Sequence, residues 1–270
     1  MFRVERTGPP GRPPIILIPA LFCGSWEWAR EIALLRPDHE VFTVTLPGFD
    51  GRPRDDEGDL MARAARDIDA LIRARHLDHP ILVGHSLGGT LAVLFAESYP
   101  STAGGIVTVE GGRPIAATAR TRTAQIRAAT APYRTTPDSA FGAALRDNML
   151  KYVITRPEDV VRMTALAARS DRTAVIRWME AALSLDLSSA IGTITVPLTA
   201  IIPYDSLIDG YQGYATEAAK RATYATWLAP ARQGRIVMIP HARHFVMIDR
   251  PEEFDRALLA AIAPSGPSPR

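Results

Sequence analysis

The run Ile81-Leu82-Val83-Gly84-His85-Ser86-Leu87-Gly88-Gly89-Thr90 constrains this chain more than any other stretch. A short apolar run predicts a buried strand, Gly-x-Ser-x-Gly follows at once, and Leu91 to Ala96 continues at helical spacing until Pro100. A serine on so sharp a strand-to-helix turn is forced into a strained backbone, so Gly84 and Gly88 must remove the side chains that would collide there. The Ser86 hydroxyl then projects from the end of a sheet, with the Leu87 amide and the positive end of the helix facing any charge that develops beside it. This is the pattern of a nucleophile elbow. A bare Gly-x-Ser-x-Gly also occurs in loops that only cap a helix, and the strand before and helix after favour the catalytic reading.

The flanking sequence supplies a frame for that turn. Ile15 to Ile18, Val41 to Leu46, Ile106 to Val109, Val196 to Ile202 and Arg235 to Ile239 are further apolar runs of strand length. Helical spacing lies between them at Trp28 to Leu35, Leu60 to Arg75 and Thr216 to Leu228, and again at Pro251 to Ile262. Alternation of this kind predicts an α/β fold, a mostly parallel sheet with helices on both faces. Residues 113–190 break it, for they hold no strand-like run and read as Ala-rich helices separated by Pro132, Pro137 and Pro157, with Asp171 capping a further helix. The expected organisation is therefore a core over 1–112 and 191–263, a helical lid over 113–190, and an unpacked Pro/Ser tail over 264–270. Such an insertion leaves from the carboxyl end of a strand, where open α/β sheets bind ligands, and its apolar residues, Trp178 and Met179 among them, are expected to bear on substrate choice.

Composition narrows the classes of function. In 270 residues, 31 basic and 29 acidic side chains leave a net charge of +2, no field that would favour a nucleic-acid partner. One cysteine, Cys23, and six scattered histidines give no disulfide and no zinc-ligand spacing, so no metal or other cofactor is expected. Cys23 itself reads as a small buried hydrophobe, and Trp26 and Trp28 as core or pocket-wall residues. No apolar run reaches the length of a membrane span and the first residues lack a signal-peptide core, so a cytoplasmic protein is expected, export remaining open should an upstream signal be missing.

Gly84-His85-Ser86-Leu87-Gly88-Gly89, Leu46-Pro47-Gly48-Phe49, and Ala242-Arg243-His244-Phe245-Val246-Met247 before Pro251-Glu252-Glu253-Phe254 together resemble the α/β-hydrolase superfamily, in its serine-nucleophile, lid-bearing branch, over about residues 15 to 263. The resemblance implies acyl-transfer chemistry by a Ser-acid-His triad in that chain order, usually hydrolysis of an ester without a cofactor. It implies His244 as general base and the amides of Leu21 and Leu87 as the oxyanion site. For the acid it leaves three residues open: Asp205 just past a strand, Asp209 four residues on, and Glu110 at the end of the strand after the elbow. His85 is expected to pack or to make a supporting hydrogen bond, and His241 is a weaker base candidate than His244. Two departures stand out: Pro19-Ala20 follows the first buried strand where the family has His-Gly, and the amino terminus is short for a leading hairpin.

The function expected is hydrolysis of a small, largely apolar carboxylic ester, a small-molecule substrate, with the oligomeric state left open. The alternatives are a cofactor-free C–C bond hydrolase or lyase on the same triad, and a non-catalytic receptor that binds a small ligand. A serine at the elbow argues against epoxide hydrolase or dehalogenase chemistry, for which the superfamily uses aspartate.

Overall fold

A computed structural model describes residues 2–55, 57–113 and 119–263. In chain order the first part holds β1 (Arg3–Thr7), β2 (Pro14–Ile18), α1 (Ala29–Leu35), β3 (Glu40–Thr45), α2 (Leu60–Arg75), β4 (Ile81–His85), α3 (Leu87–Ser98) and β5 (Gly105–Val109). The insertion follows as α4 (Ala119–Arg134), α5 (Phe141–Leu145), α6 (Lys151–Val153), α7 (Pro157–Ala167) and α8 (Arg172–Ser184). The core then resumes with β6 (Leu198–Tyr204), α9 (Ser206–Tyr211), α10 (Glu217–Leu228), β7 (Gly234–Pro240), α11 (Val246–Asp249) and α12 (Pro251–Ile262).

Among the described residues the strands form one sheet in the order β1-β3-β2-β4-β5-β6-β7, with every pairing parallel except β1 with β3. All six residues of β3 and all five of β5 are buried, as strands covered on both faces must be. Their β-branched and aliphatic side chains form one core with Trp28, Phe95 and Phe254. The α12 helix meets Trp28, just before α1, through the Trp28 and Phe254 rings, 6.4 Å apart, and meets α1 through the Arg30–Asp255 ion pair.

Two expectations are corrected. Residues 3–7, for which the sequence pattern indicates no element, form a strand that pairs with β3 and makes no hairpin with β2, an edge that carries one apolar residue in five and bears Arg3–Asp50 and Arg6–Glu40 ion pairs, both at 2.6 Å. Charged side chains suit such an edge and hide it from pattern reading. Pro132 does not separate two helices, because α4 continues past it to Arg134 and stops within two residues of the ring that removes one amide from its ladder. Finally, β6 runs two residues beyond Ile202, which moves everything after it. The expected helix starts at Pro157 and Asp171 are as read, the latter with its carboxylate accepting from the Ala174 amide at 2.8 Å. The 264–270 tail lies outside the described residues.

Candidate active site

Ser86 stands between β4 and α3 with φ 52° and ψ −111°, a conformation that costs a non-glycine residue about 1–3 kcal/mol. The turn is possible because a Cβ on Gly84 would lie 2.2 Å from the Gly88 carbonyl oxygen, and one on Gly88 2.2 Å from that of Ile18. The first turn of α3 leaves amides without intrahelical acceptors, the Leu87 N–H among them. Leu21, on the loop after β2, and Leu87 both line one cavity with Ser86.

Parallel register decides which acid comes near. His85 is paired with Val109 and Val109 with Ile201, so Ser86, Glu110 and Ile202 lie level across three strands. Glu110 is itself strained, at φ 40°. Asp205 lies three residues further out, about 10 Å at the rise of a strand. It caps α9, accepting from the amides of Leu207 and Ile208, and its other oxygen is 3.6 Å from Arg243 Nε. The expectation that Asp205 stands against the imidazole is therefore not met. Its carboxylate is committed to a helix end, while Glu110 Oε2 is 3.5 Å from His244 Nδ1. At that separation the contact is a loose, mainly electrostatic one.

Asp209 has a third place. Its Oδ2 accepts from the Asp205 amide at 2.8 Å and its Oδ1 is 2.7 Å from Lys220 Nζ. Lys220 is buried, and its ammonium also donates to Glu110 Oε1 at 2.6 Å and the Pro203 carbonyl at 2.8 Å, which uses all three N–H groups. Burial works to raise the Glu110 carboxyl, yet its contact with His244 and the Lys220 charge prevail and hold it at about 2. Burial holds the His244 imidazole below its usual value, with the Glu110 contact opposing. The result is an ionised carboxylate beside a neutral histidine. Lys220 was not singled out from the sequence; a lysine at an inward position of α10 is the one signal that pointed to it.

His85 faces away from the cavity and makes hydrogen bonds at both ring nitrogens, while His241 is exposed on the β7 end. The cavity measures about 340 Å³. The insertion contributes Tyr152, Val153, Met179, Leu183 and Leu185 to the cavity lining, which also includes Arg113, Tyr214 and Tyr224. Trp178 does not reach it; the indole is buried against Phe49 and donates to the Pro47 carbonyl at 3.1 Å, tying α8 to the core. Among the described residues no group of three or more His, Cys, Asp or Glu side chains is arranged to hold a metal ion, and no helix is long and apolar enough to cross a membrane.

A parallel sheet with a serine on the turn after its central strand, and a histidine on the loop after its last, defines the hydrolase class of α/β proteins. The chain belongs to the alpha/beta hydrolase family, whose model matches residues 15–257. It is similar to the 1-acylglycerol-3-phosphate O-acyltransferase ABHD5 of Rattus norvegicus, 26% identical over 280 residues that cover 90% of this chain and 75% of that protein. Among solved structures, the enol-lactonase from Burkholderia xenovorans LB400 superimposes with a TM-score of 0.77 at 19% identity, covering 96% of this chain and 95% of that one. MenH from S. aureus does so with a TM-score of 0.79 at 13% identity, covering 96% and 97%. At these identities the structures share the fold.

Proposed function

We propose that this hydrolase cleaves a small, largely apolar carboxylic ester through Ser86, His244 and Glu110. The observation that carries the reading is one cavity lined at once by Ser86, His244, Glu110, Leu21 and Leu87. Ser86 Oγ attacks the ester carbonyl as the neutral His244 takes its proton, and the imidazolium gains the Glu110 carboxylate as partner. The oxyanion is held by the Leu21 and Leu87 amides. The protonated histidine releases the alcohol, and water, activated by the same base, clears the acyl-enzyme. In this reading the insertion acts as a lid, its apolar wall receiving the acyl chain.

A second reading, a C–C bond hydrolase or lyase acting on a carboxylated substrate, is favoured by Arg113. Its Nη2 donates to the Tyr214 hydroxyl at 2.9 Å and its guanidinium lies 5.2 Å from the Tyr224 ring centroid, so a positive charge lines the cavity where a purely apolar ester needs none. A panel of p-nitrophenyl esters of rising acyl length, with and without a terminal carboxylate, separates the two. Saturable turnover of neutral esters, with fluorophosphonate labelling that Ser86→Ala abolishes, is the expected result. Labelling that persists in Ser86→Ala, or turnover confined to C–C bonds, would overturn the ester reading.

A further inference from the structure

Behind the elbow, outside the cavity, the structure holds a second histidine–carboxylate pair that the reaction does not use. His85 Nδ1 lies 2.6 Å from Glu27 Oε1, and neither side chain has any exposed surface. His85 Nε2 lies 2.9 Å from the backbone carbonyl of His244. A carbonyl oxygen only accepts, so Nε2 carries a hydrogen. A further proton must then lie between Nδ1 and Oε1, since a bare nitrogen facing a carboxylate oxygen at 2.6 Å would set lone pair against lone pair. The other oxygen, Oε2, accepts from the Ala20 amide at 2.8 Å. Cys23 bonds to the same carboxylate, and burial pushes its thiol well above its usual range, so the sulfur stays protonated.

These bonds join three segments of the chain through one buried pair. Ala20 precedes Leu21 on the loop after β2, where Pro19 has no amide to offer; His85 precedes the nucleophile; and the His244 carbonyl belongs to the base itself. The His85 and His244 rings are 4.6 Å apart. A buried ionisable pair is a poor way to gain stability, because apolar side chains of the same volume serve as well or better. It is a good way to fix directions. We propose that Glu27 and His85 are positioning residues, a buried strut that sets the Leu21 amide and the His244 backbone relative to one another and so keeps oxyanion site and base in register. The inference rests on the serine-hydrolase reading above.

Two substitutions separate geometry from charge. In Glu27→Gln the amide oxygen can accept from Ala20 and the amide nitrogen can donate to Nδ1 of neutral His85, so every bond survives without the shared proton, and kcat is expected within about threefold of the parent. Glu27→Ala releases both segments and is expected to lower kcat about 100-fold with little change in KM, the cost of one misplaced oxyanion donor. Affinity for a boronic acid, which mimics the tetrahedral state, should fall by the same factor, whereas a merely structural role would leave it unmoved in the folded fraction. A folded Glu27→Ala enzyme with parental kcat and boronate affinity overturns the proposal. Should that variant fail to fold, Glu27→Asp keeps the charge but is too short to reach both partners; a drop in kcat of about tenfold or more supports the strut, and parental kcat overturns it. Independently of activity, the parent should show a far-downfield exchangeable proton resonance that Glu27→Gln lacks. If the parent shows that resonance yet neither turns over esters nor reacts with fluorophosphonate, the hydrolase reading has failed and not the pairing.

Discussion

Glu110 Oε2 and His244 Nδ1 face one another at 3.5 Å across the carboxyl ends of β5 and β7, two strands separated by β6. If this contact fixes the imidazole tautomer, Glu110→Gln lowers kcat by about 10⁴, as loss of the acid does in other serine triads. Asp205→Asn should leave turnover within about tenfold and stability nearly unchanged, since asparagine caps a helix about as well as aspartate and its oxygen can still accept from Leu207 and Ile208. Steady-state kinetics and urea unfolding of the two variants check this, and the reverse ranking returns the acid to Asp205.

In the proposed mechanism the protonation of His244 sets the acid limb of the rate profile. Because burial holds the imidazole below about 6.5, the limb in kcat/KM should have its midpoint below that value. Lys220→Met removes a positive charge that disfavours the imidazolium and releases Glu110 from about 2, so both effects move the limb upward. The same variant leaves two buried carboxylates uncompensated and should lose about 3–5 kcal/mol of stability. A pH profile for Lys220→Met that overlays the parent's would show that the ammonium does not act on this site.

Met179 and Trp178 are neighbours on α8 with different tasks. Met179→Ala enlarges the cavity and is expected to raise the hexanoyl-to-acetyl ratio of kcat/KM by about tenfold. Trp178→Phe should leave that ratio alone and cost about 1–2 kcal/mol, since the buried Pro47 carbonyl loses its donor. Equal effects of Met179→Ala on all acyl lengths would mean that the insertion has no part in selectivity.

Glu31 on α1 is almost wholly buried, and neither carboxylate oxygen has a partner outside its own residue among those described. Burial raises its carboxyl to about 8. The native state keeps the proton between 4.5 and 8 while the unfolded chain loses it, so Glu31 erodes stability as pH climbs through that window. Glu31→Gln removes the titration, and its advantage over the parent should grow from near zero at pH 4.5 to on the order of 2 kcal/mol at pH 8. Parallel stability curves, from urea midpoints at both pH values, would mean that Glu31 finds solvent or a partner on ionising.

Much of this molecule is local in origin. The strand, turn and helix around Ser86 follow from an apolar run, two glycines and a helical repeat within sixteen residues, and the alternation of such units dictates a parallel sheet. The helical insertion between β5 and β6 is legible for the same reason, as is the loop that carries His244. What local pattern could not decide was how far each strand runs and what meets across the sheet. The two extra residues of β6 carry Asp205 past the level of Ser86, while register with β4 and β5 leaves Glu110 beside it. Glu27, Lys220 and Arg113 sit 59, 134 and 27 residues from Ser86 in the chain. Strand register, helix docking and the burial of charge are nonlocal quantities, set by which partners compensate one another once the core has closed. The sequence by itself determined the strand-serine-helix turn and the architecture that presents it, and only the tertiary structure decided which carboxylate lies beside His244 and which charges hold that carboxylate ionised.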